Sequence, residues 1–333
     1  MKISIGKIRA HYNSLKRERM IDGSPLQKFS SFRLLVDYYI CRLRYGASVE
    51  NYTKYEFWKL NDKGKKSFIC EKLANETYRL FNPLSGRHIT ASKAEFNARF
   101  EAYIHRKWID APQSDLESFR GFIGSVERFI IKPVGGTCGT GIEIMESRDV
   151  ASAEDLFRKC VDEKAILEEV VVQNGEMAAF HAKSLNTLRV VTLRDKRRDI
   201  HVMGAAFRMG TGDEVVDNFH KQGVVAVIDV DTGLVKSTAT NYQHKRFVVH
   251  PDTGLPIVGF RIPHFDKVVQ TVTAAAERLP EMDMVGWDVA IDRNDNVVLI
   301  EGNSLPDFDV LQIGEQGGVY DQFRPYIDER RAG

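Results

Sequence analysis

The chain has 333 residues, of which 43% are hydrophobic and 28% charged, with a net charge of +1 at neutral pH. That length supports two or three subdomains around a sizeable core, in a composition ordinary for soluble globular proteins. The near-zero charge argues against nucleic acid as a main partner, and no stretch approaches the roughly 20 apolar residues of a membrane span.

The N-terminus, MKISIGKIRAHYNSLKRERM, lacks the continuous apolar core of a secretory signal. Four cysteines, at 41, 70, 138 and 160, show neither CxxC spacing nor a disulfide framework, which fits a reducing, cytoplasmic setting. The first 50 residues hold ten Lys or Arg and far fewer acids. Such a face could make peripheral contact with an anionic membrane surface or meet a negatively charged substrate, although a charge run is more often a solvated helix face.

Residues 1–85 read as mainly helical. Leu34, Leu35, Tyr38, Ile40, Leu43 and Tyr45 recur at helical spacing, Gly46 is a natural stop, and a second segment runs from Asn51 to Leu60. NPLSG at 82–86 is a turn cluster and a boundary. Thr90 is expected to cap a helix with Phe96, Phe100 and Tyr103 on one face. Arg128–Lys132 then forms a short strand ending in lysine, followed by Gly135-Gly136-Thr137-Cys138-Gly139-Thr140-Gly141 and a second strand. Four glycines in seven residues let backbone N–H groups turn toward an anion, with Lys132 adding a point charge. The order matches neither a Walker loop nor a kinase loop, and suggests a β-hairpin lid over nucleotide phosphates.

A short helix follows at 152–159, capped by Ser152, and then a strand near 165–172 that runs into an extended connector. Such a connector offers backbone groups to an adenine edge. Glu168 or Glu169 is placed for the exocyclic amine, and Glu176 for ribose hydroxyls. Two buried strands, near 184–193 and 201–208, are interrupted by Arg189 and Arg208, cations suited to phosphate or carboxylate. The polar segment 217–223, with Asn218 and His220, is a functional-loop candidate. A helix at 265–279 leads to GWDVAIDRNDNVVLIEGN, whose DRNDN cluster closes a hairpin. Glu301 and Asn303 are two apart on an extended chain and share a face, toward which Asp288 points from the neighbouring strand. Two carboxylates and an amide oxygen form a hard ligand set suited to Mg²⁺ held with substrate phosphates.

In this order, IKPVGGTCGTGI, LEEVVVQNGE, NTLRVVT, AAFRMG and GWDVAI…LIEGN resemble the ATP-grasp superfamily over about residues 86–315. The resemblance is greatest to the branch associated with sugar transfer in surface-polysaccharide pathways. It implies an α+β fold in which two α+β subdomains grip ATP, beside a mainly helical N-terminal region. The expected divisions are 1–85 for that region, 86–170 for the lid subdomain and 171–325 for the catalytic subdomain. It implies that Lys93 and Lys132 hold the α- and β-phosphates, while Gly135, Gly136, Thr137, Gly139, Thr140 and Gly141 fold over the β- and γ-phosphates. Glu168, Glu169 and Val171 would border adenine and Glu176 the ribose. Asp288, Glu301 and Asn303 would carry Mg²⁺, with Mn²⁺ as a substitute. Arg208 would stabilise the transferred phosphoryl group, with Arg189, Asn186, Asn218 and His220 on the substrate side. The implied reaction joins a small-molecule carboxylate to an amine through an acyl phosphate. A phosphotransferase acting on a small molecule or sugar, and a nucleotide-binding regulator without turnover, are the alternatives.

Overall fold

The computed structural model describes residues 4–20, 24–133, 141–212, 223–313 and 317–332. The chain divides into two compact units, one formed by Phe81–Pro306 and the other by Met1–Leu80 together with Asp307–Gly333.

Within Phe81–Pro306 there are two sheets, both antiparallel. The smaller contains β1 (Trp108–Asp110), β2 (Arg128–Lys132), β3 (Glu143–Glu146) and β4 (Ile166–Glu169), in the order β1-β4-β2-β3. Phe129, Ile131 and Leu167 project from it into a core shared with Phe119 and Ile123 of helix Leu116–Ser125 and with Leu156 and Cys160 of helix Ala153–Asp162. Side-chain caps fix where both helices begin: Asp115 accepts from the Ser118 N–H at 2.7 Å, and Ser152 from that of Asp155 at 3.2 Å.

The larger sheet comprises β5 (Thr187–Arg194), β6 (Ile200–Met209), β7 (Val224–Ile228), β8 (Ala239–Asn241), β9 (Arg246–Phe247), β10 (Met284–Ile291) and β11 (Val297–Asn303). Its order is β11-β10-β5-β6-β7-β8-β9. Every residue of β10 is buried, as befits a strand with neighbours on both sides. Trp287 anchors it, fully buried, with its indole N–H donating to Thr192 Oγ1 at 2.8 Å and its ring edge-on to Phe100. Helix Phe265–Glu277 adds Val268, Val272, Ala275 and Ala276 to the same core. Since successive residues of a strand face opposite ways, seating Trp287 in the core turns Asp288 to the other face of the sheet.

The second unit is helical, with Leu15, Leu34, Tyr38, Cys41, Tyr52 and Phe57 at its centre. Helix Ser31–Tyr45 ends at Gly46, whose φ of +69° is left-handed and whose missing Cβ leaves room for the Lys72 side chain. The segment expected as one helix from Asn51 to Leu60 is instead helix Val49–Lys54 and a 3₁₀ turn Phe57–Lys59, separated at Glu56 by a φ of +50°. The chain end also differs from the expected continuation of the catalytic region to 325. Asp309 accepts from Lys54 Nζ at 2.6 Å and from the Tyr55 hydroxyl, Gln312 accepts from the Ile69 N–H at 2.8 Å, and the Tyr320 N–H donates to Ser67 O at 2.8 Å. These bonds tie the C-terminal segment to the N-terminal helices.

A second local difference falls between residues 88 and 104. Thr90 lies inside a short helix, His88–Ala91, and the cap of the next helix, Lys93–Arg99, is Ser92, which accepts from the Glu95 N–H at 3.3 Å. That helix breaks at Phe100, so Phe96 and Phe100 are fixed by the core rather than by one continuous stripe.

Candidate functional site

Asp288 on β10 lies directly opposite Glu301 on β11 and Arg189 on β5, so three side chains form a row across three strands. The register shifts beside Asp288, where Leu299 rather than Ile300 faces Val289, which makes Ile300 the extra residue of a bulge. Arg189 grips Asp288 with both its Nε and its Nη2, the latter reaching Oδ2 at 3.0 Å. From the next strand, Arg208 Nη1 donates to the same Oδ2 at 3.0 Å. Gly286 makes this packing feasible: a Cβ there would lie 2.8 Å from Pro306 Cβ and 3.3 Å from Arg189 Cδ.

Electrostatics separate the two acids. Burial alone would raise the Asp288 carboxyl, but the guanidinium groups of Arg189 and Arg208 outweigh it and hold Asp288 well below the usual carboxylate range. Desolvation and the Asp288 charge push Glu301 up to about 7. The Glu301 side chain is open to water. When protonated, Glu301 donates to Asp288, and Asn303 Nδ2 donates to Glu301 Oε1 at 3.2 Å.

Two carboxyls close enough to share a proton offer a divalent cation a place to replace it, and the Asn303 amide oxygen supplies a third hard donor. The donor set therefore fits Mg²⁺, with Glu301 and Asn303 as the open ligands and Asp288 already partly neutralised by two arginines. Among the described residues no group of three or more His, Cys, Asp and Glu makes a metal site, so any such site here depends on the amide.

A second buried cluster sits on the small sheet. Glu168, 3% exposed, accepts from Lys132 Nζ at 2.5 Å, Arg106 Nε at 2.9 Å and Asn97 Nδ2 at 2.8 Å. Burial opposes its ionisation, yet Arg106 and Lys132 hold its carboxyl far below the usual range. Arg106 also donates to Leu299 O at 2.7 Å and Ile300 O at 3.5 Å. One guanidinium thus spans from Glu168 to the bulged strand that carries Glu301. Sequence reasoning missed Arg106 and Asn97, because neither sits in a motif and only the tertiary fold brings them to Glu168.

The remaining expected residues are distributed as follows. Glu168 is engaged on both oxygens, while Glu169 is half-buried and accepts from the Lys107 N–H at 3.1 Å. Val171 lies half-buried on the connector after β4, and Glu176 is exposed in the first turn of helix Gly175–Ala178. Lys93 opens helix Lys93–Arg99 and is half-buried. Gly141 has a φ of +77°. Asn186 is fully buried. Its amide nitrogen donates to Gln173 Oε1, Met177 O and His181 O, and its oxygen accepts from the Gly210 N–H, so it braces the loop before β5 rather than facing a substrate. Gly135, Gly136, Thr137, Cys138, Gly139, Thr140, Asn218 and His220 lie outside the described residues.

The small sheet bearing Lys132 and Glu168 and the large sheet bearing the Asp288 row together make an ATP-grasp fold. The chain belongs to the sugar-transfer associated ATP-grasp family, whose model matches residues 72–325. Similar solved structures include the ATP-grasp ligase PsnB with a minimal precursor, at 14% identity and a TM-score of 0.48, covering 75% of this chain and 64% of that one. They also include purK, the N5-carboxyaminoimidazole ribonucleotide synthetase, as its ADP complex (12%, TM-score 0.46, 72% and 52%). A third is the L-amino acid ligase from Bacillus licheniformis (12%, TM-score 0.39, 72% and 44%). The aligned region spans less than two thirds of the length of each. No curated protein sequence matches the chain. Among the described residues no helix is long and apolar enough to cross a membrane.

Proposed function

We propose that this chain is an ATP- and Mg²⁺-dependent ligase that joins a small-molecule carboxylate to an amine through an acyl phosphate. The observation that carries the reading is the Arg189–Asp288–Glu301 row, with Arg208 bonded to Asp288 and Asn303 to Glu301. It concentrates fixed cations and hard oxygen ligands on one sheet face, the combination that phosphoryl transfer requires. Asp288, Glu301 and Asn303 would hold Mg²⁺, which neutralises charge on phosphate oxygens when bound.

In the proposed reaction a substrate carboxylate oxygen takes the γ-phosphoryl group and ADP leaves. The amine nitrogen then attacks the acyl carbon, phosphate departs with the acyl C–O bond, and the nitrogen gives up its proton. Arg208 stabilises the phosphoryl oxygens, while Arg189 holds Asp288 in place. Lys132 faces the α- and β-phosphates with Glu168 fixing its position, and Lys93 assists. Because Glu168 is fully engaged, the adenine edge falls to Glu169 and Val171, with Glu176 toward the ribose. The family's association with sugar transfer supports a substrate from surface-polysaccharide chemistry.

The test is product analysis with ATP, Mg²⁺ and panels of carboxylates and amines. The proposal expects one ADP and one phosphate per amide formed, and Arg208→Ala to cut kcat about 100-fold or more. A phosphorylated hydroxyl product would make the chain a phosphotransferase. ATP binding with no turnover on any panel would make it a nucleotide-binding regulator.

A further inference from the structure

The helical unit contains a cavity of about 750 Å³, within the size range of small-molecule sites and built only from residues of that unit. Lys7, Arg17 and Arg42 line it. No carboxylate among the described residues pairs with any of the three. Arg42 donates from Nη1 to the Tyr38 hydroxyl at 3.1 Å, but its Nε is buried and finds no acceptor among the described residues. Burial, and after it the Arg42 and Lys7 charges, depress the His11 imidazole below its ordinary value, with Glu71 opposing them.

The opposite chemistry lines the rest of the cavity. Glu50, Glu71 and Asp307 present carboxylates, which accept hydrogen bonds and donate none when ionised. The rings of Tyr78 and Phe308 also line it, stacked 5.6 Å apart. Cations, acceptors and an aromatic wall in one lining suit a ligand with an anionic group on a hydroxyl-bearing body. A phosphate monoester carries close to two negative charges at neutral pH and can engage more than one of the three cations at once.

We propose that this cavity of the helical unit is a binding site for a small hydroxyl-rich organic phosphate of the sugar-phosphate class. Lys7, Arg17 and Arg42 take the phosphate, and the carboxylates take the hydroxyls.

Calorimetry on the full chain with glucose 1-phosphate, inorganic phosphate and glucose tests this directly, using Lys7→Ala, Arg17→Ala and Arg42→Gln. Lys7 and Arg17 are exposed on helix Ile5–Met20, so their alanine variants keep the fold. Expected are glucose 1-phosphate binding stronger than that of either fragment, and a loss of about tenfold for each variant, the scale of a charge-assisted hydrogen bond. Mg²⁺–ATP binding should be unchanged in all three, which keeps this result distinct from failure of the ligase reading. Equal binding of inorganic phosphate and glucose 1-phosphate would overturn the proposal, as would unchanged affinity in the variants. Binding to phosphatidylserine vesicles without binding to soluble phosphates would reassign the cations to a membrane surface and also overturn it.

Discussion

Glu168 carries a buried negative charge whose stability depends on Arg106 and Lys132. Breaking a buried pair from one side leaves the other charge without compensation, at a cost of about 3–5 kcal/mol. Arg106→Met should therefore lower stability by about that amount in urea denaturation, well beyond the loss of one surface contact. The same charge predicts a pH dependence. The folded carboxyl is depressed below its ordinary value of 4.5, so its stabilisation is complete above that value and is lost as pH falls below it. Glu168→Gln should then flatten the acid limb of the stability profile below about pH 4.5. An acid limb identical to the wild type's would remove Glu168 from the account.

At the scale of elements, the hairpin of β10 and β11 positions the site because its two faces do different work. Trp287 sits in the core and Asp288 lies on the opposite face of the sheet, with Gly286 leaving space for Arg189 and Pro306. Gly286→Ala places a Cβ against Pro306, an overpacking of about 1–3 kcal/mol by thermal denaturation. It should also weaken Mg²⁺–ATP binding, because Arg189 must shift. Much of this hairpin was legible in the sequence, since alternation, a polar turn and two like-facing acceptors are all local signals. Arg106 was not legible, because its bonds run to Glu168 and to carbonyls about 190 residues away, and burial of a lone arginine has no local signature. The cap near residue 90 was misplaced for a related reason. Thr90 and Ser92 both satisfy the local pattern, and only the packing of Phe96 and Phe100 chooses Ser92.

At the scale of the whole chain, one compact unit joins Met1–Leu80 to Asp307–Gly333. What the sequence hides is that the helical unit closes only with residues from the far end. Lys54 is buried against Asp309, and Tyr55 and Ile69 bond to Asp309 and Gln312. Deleting residues 307–333 strips these partners and should unfold the helical unit, seen as lost helical circular dichroism and rapid proteolysis of residues 1–80. Protection equal to that of the full chain would show the N-terminal helices to be self-sufficient.

We propose that the row around Asp288 is a Mg²⁺–nucleotide site. The most direct test is calorimetric titration of ATP into the full chain with and without Mg²⁺, comparing wild type with Glu301→Gln. ATP binding should depend on Mg²⁺ and be largely lost in the variant, with its fold intact by circular dichroism. ATP binding that ignores Mg²⁺, or that Glu301→Gln leaves unchanged, would contradict it.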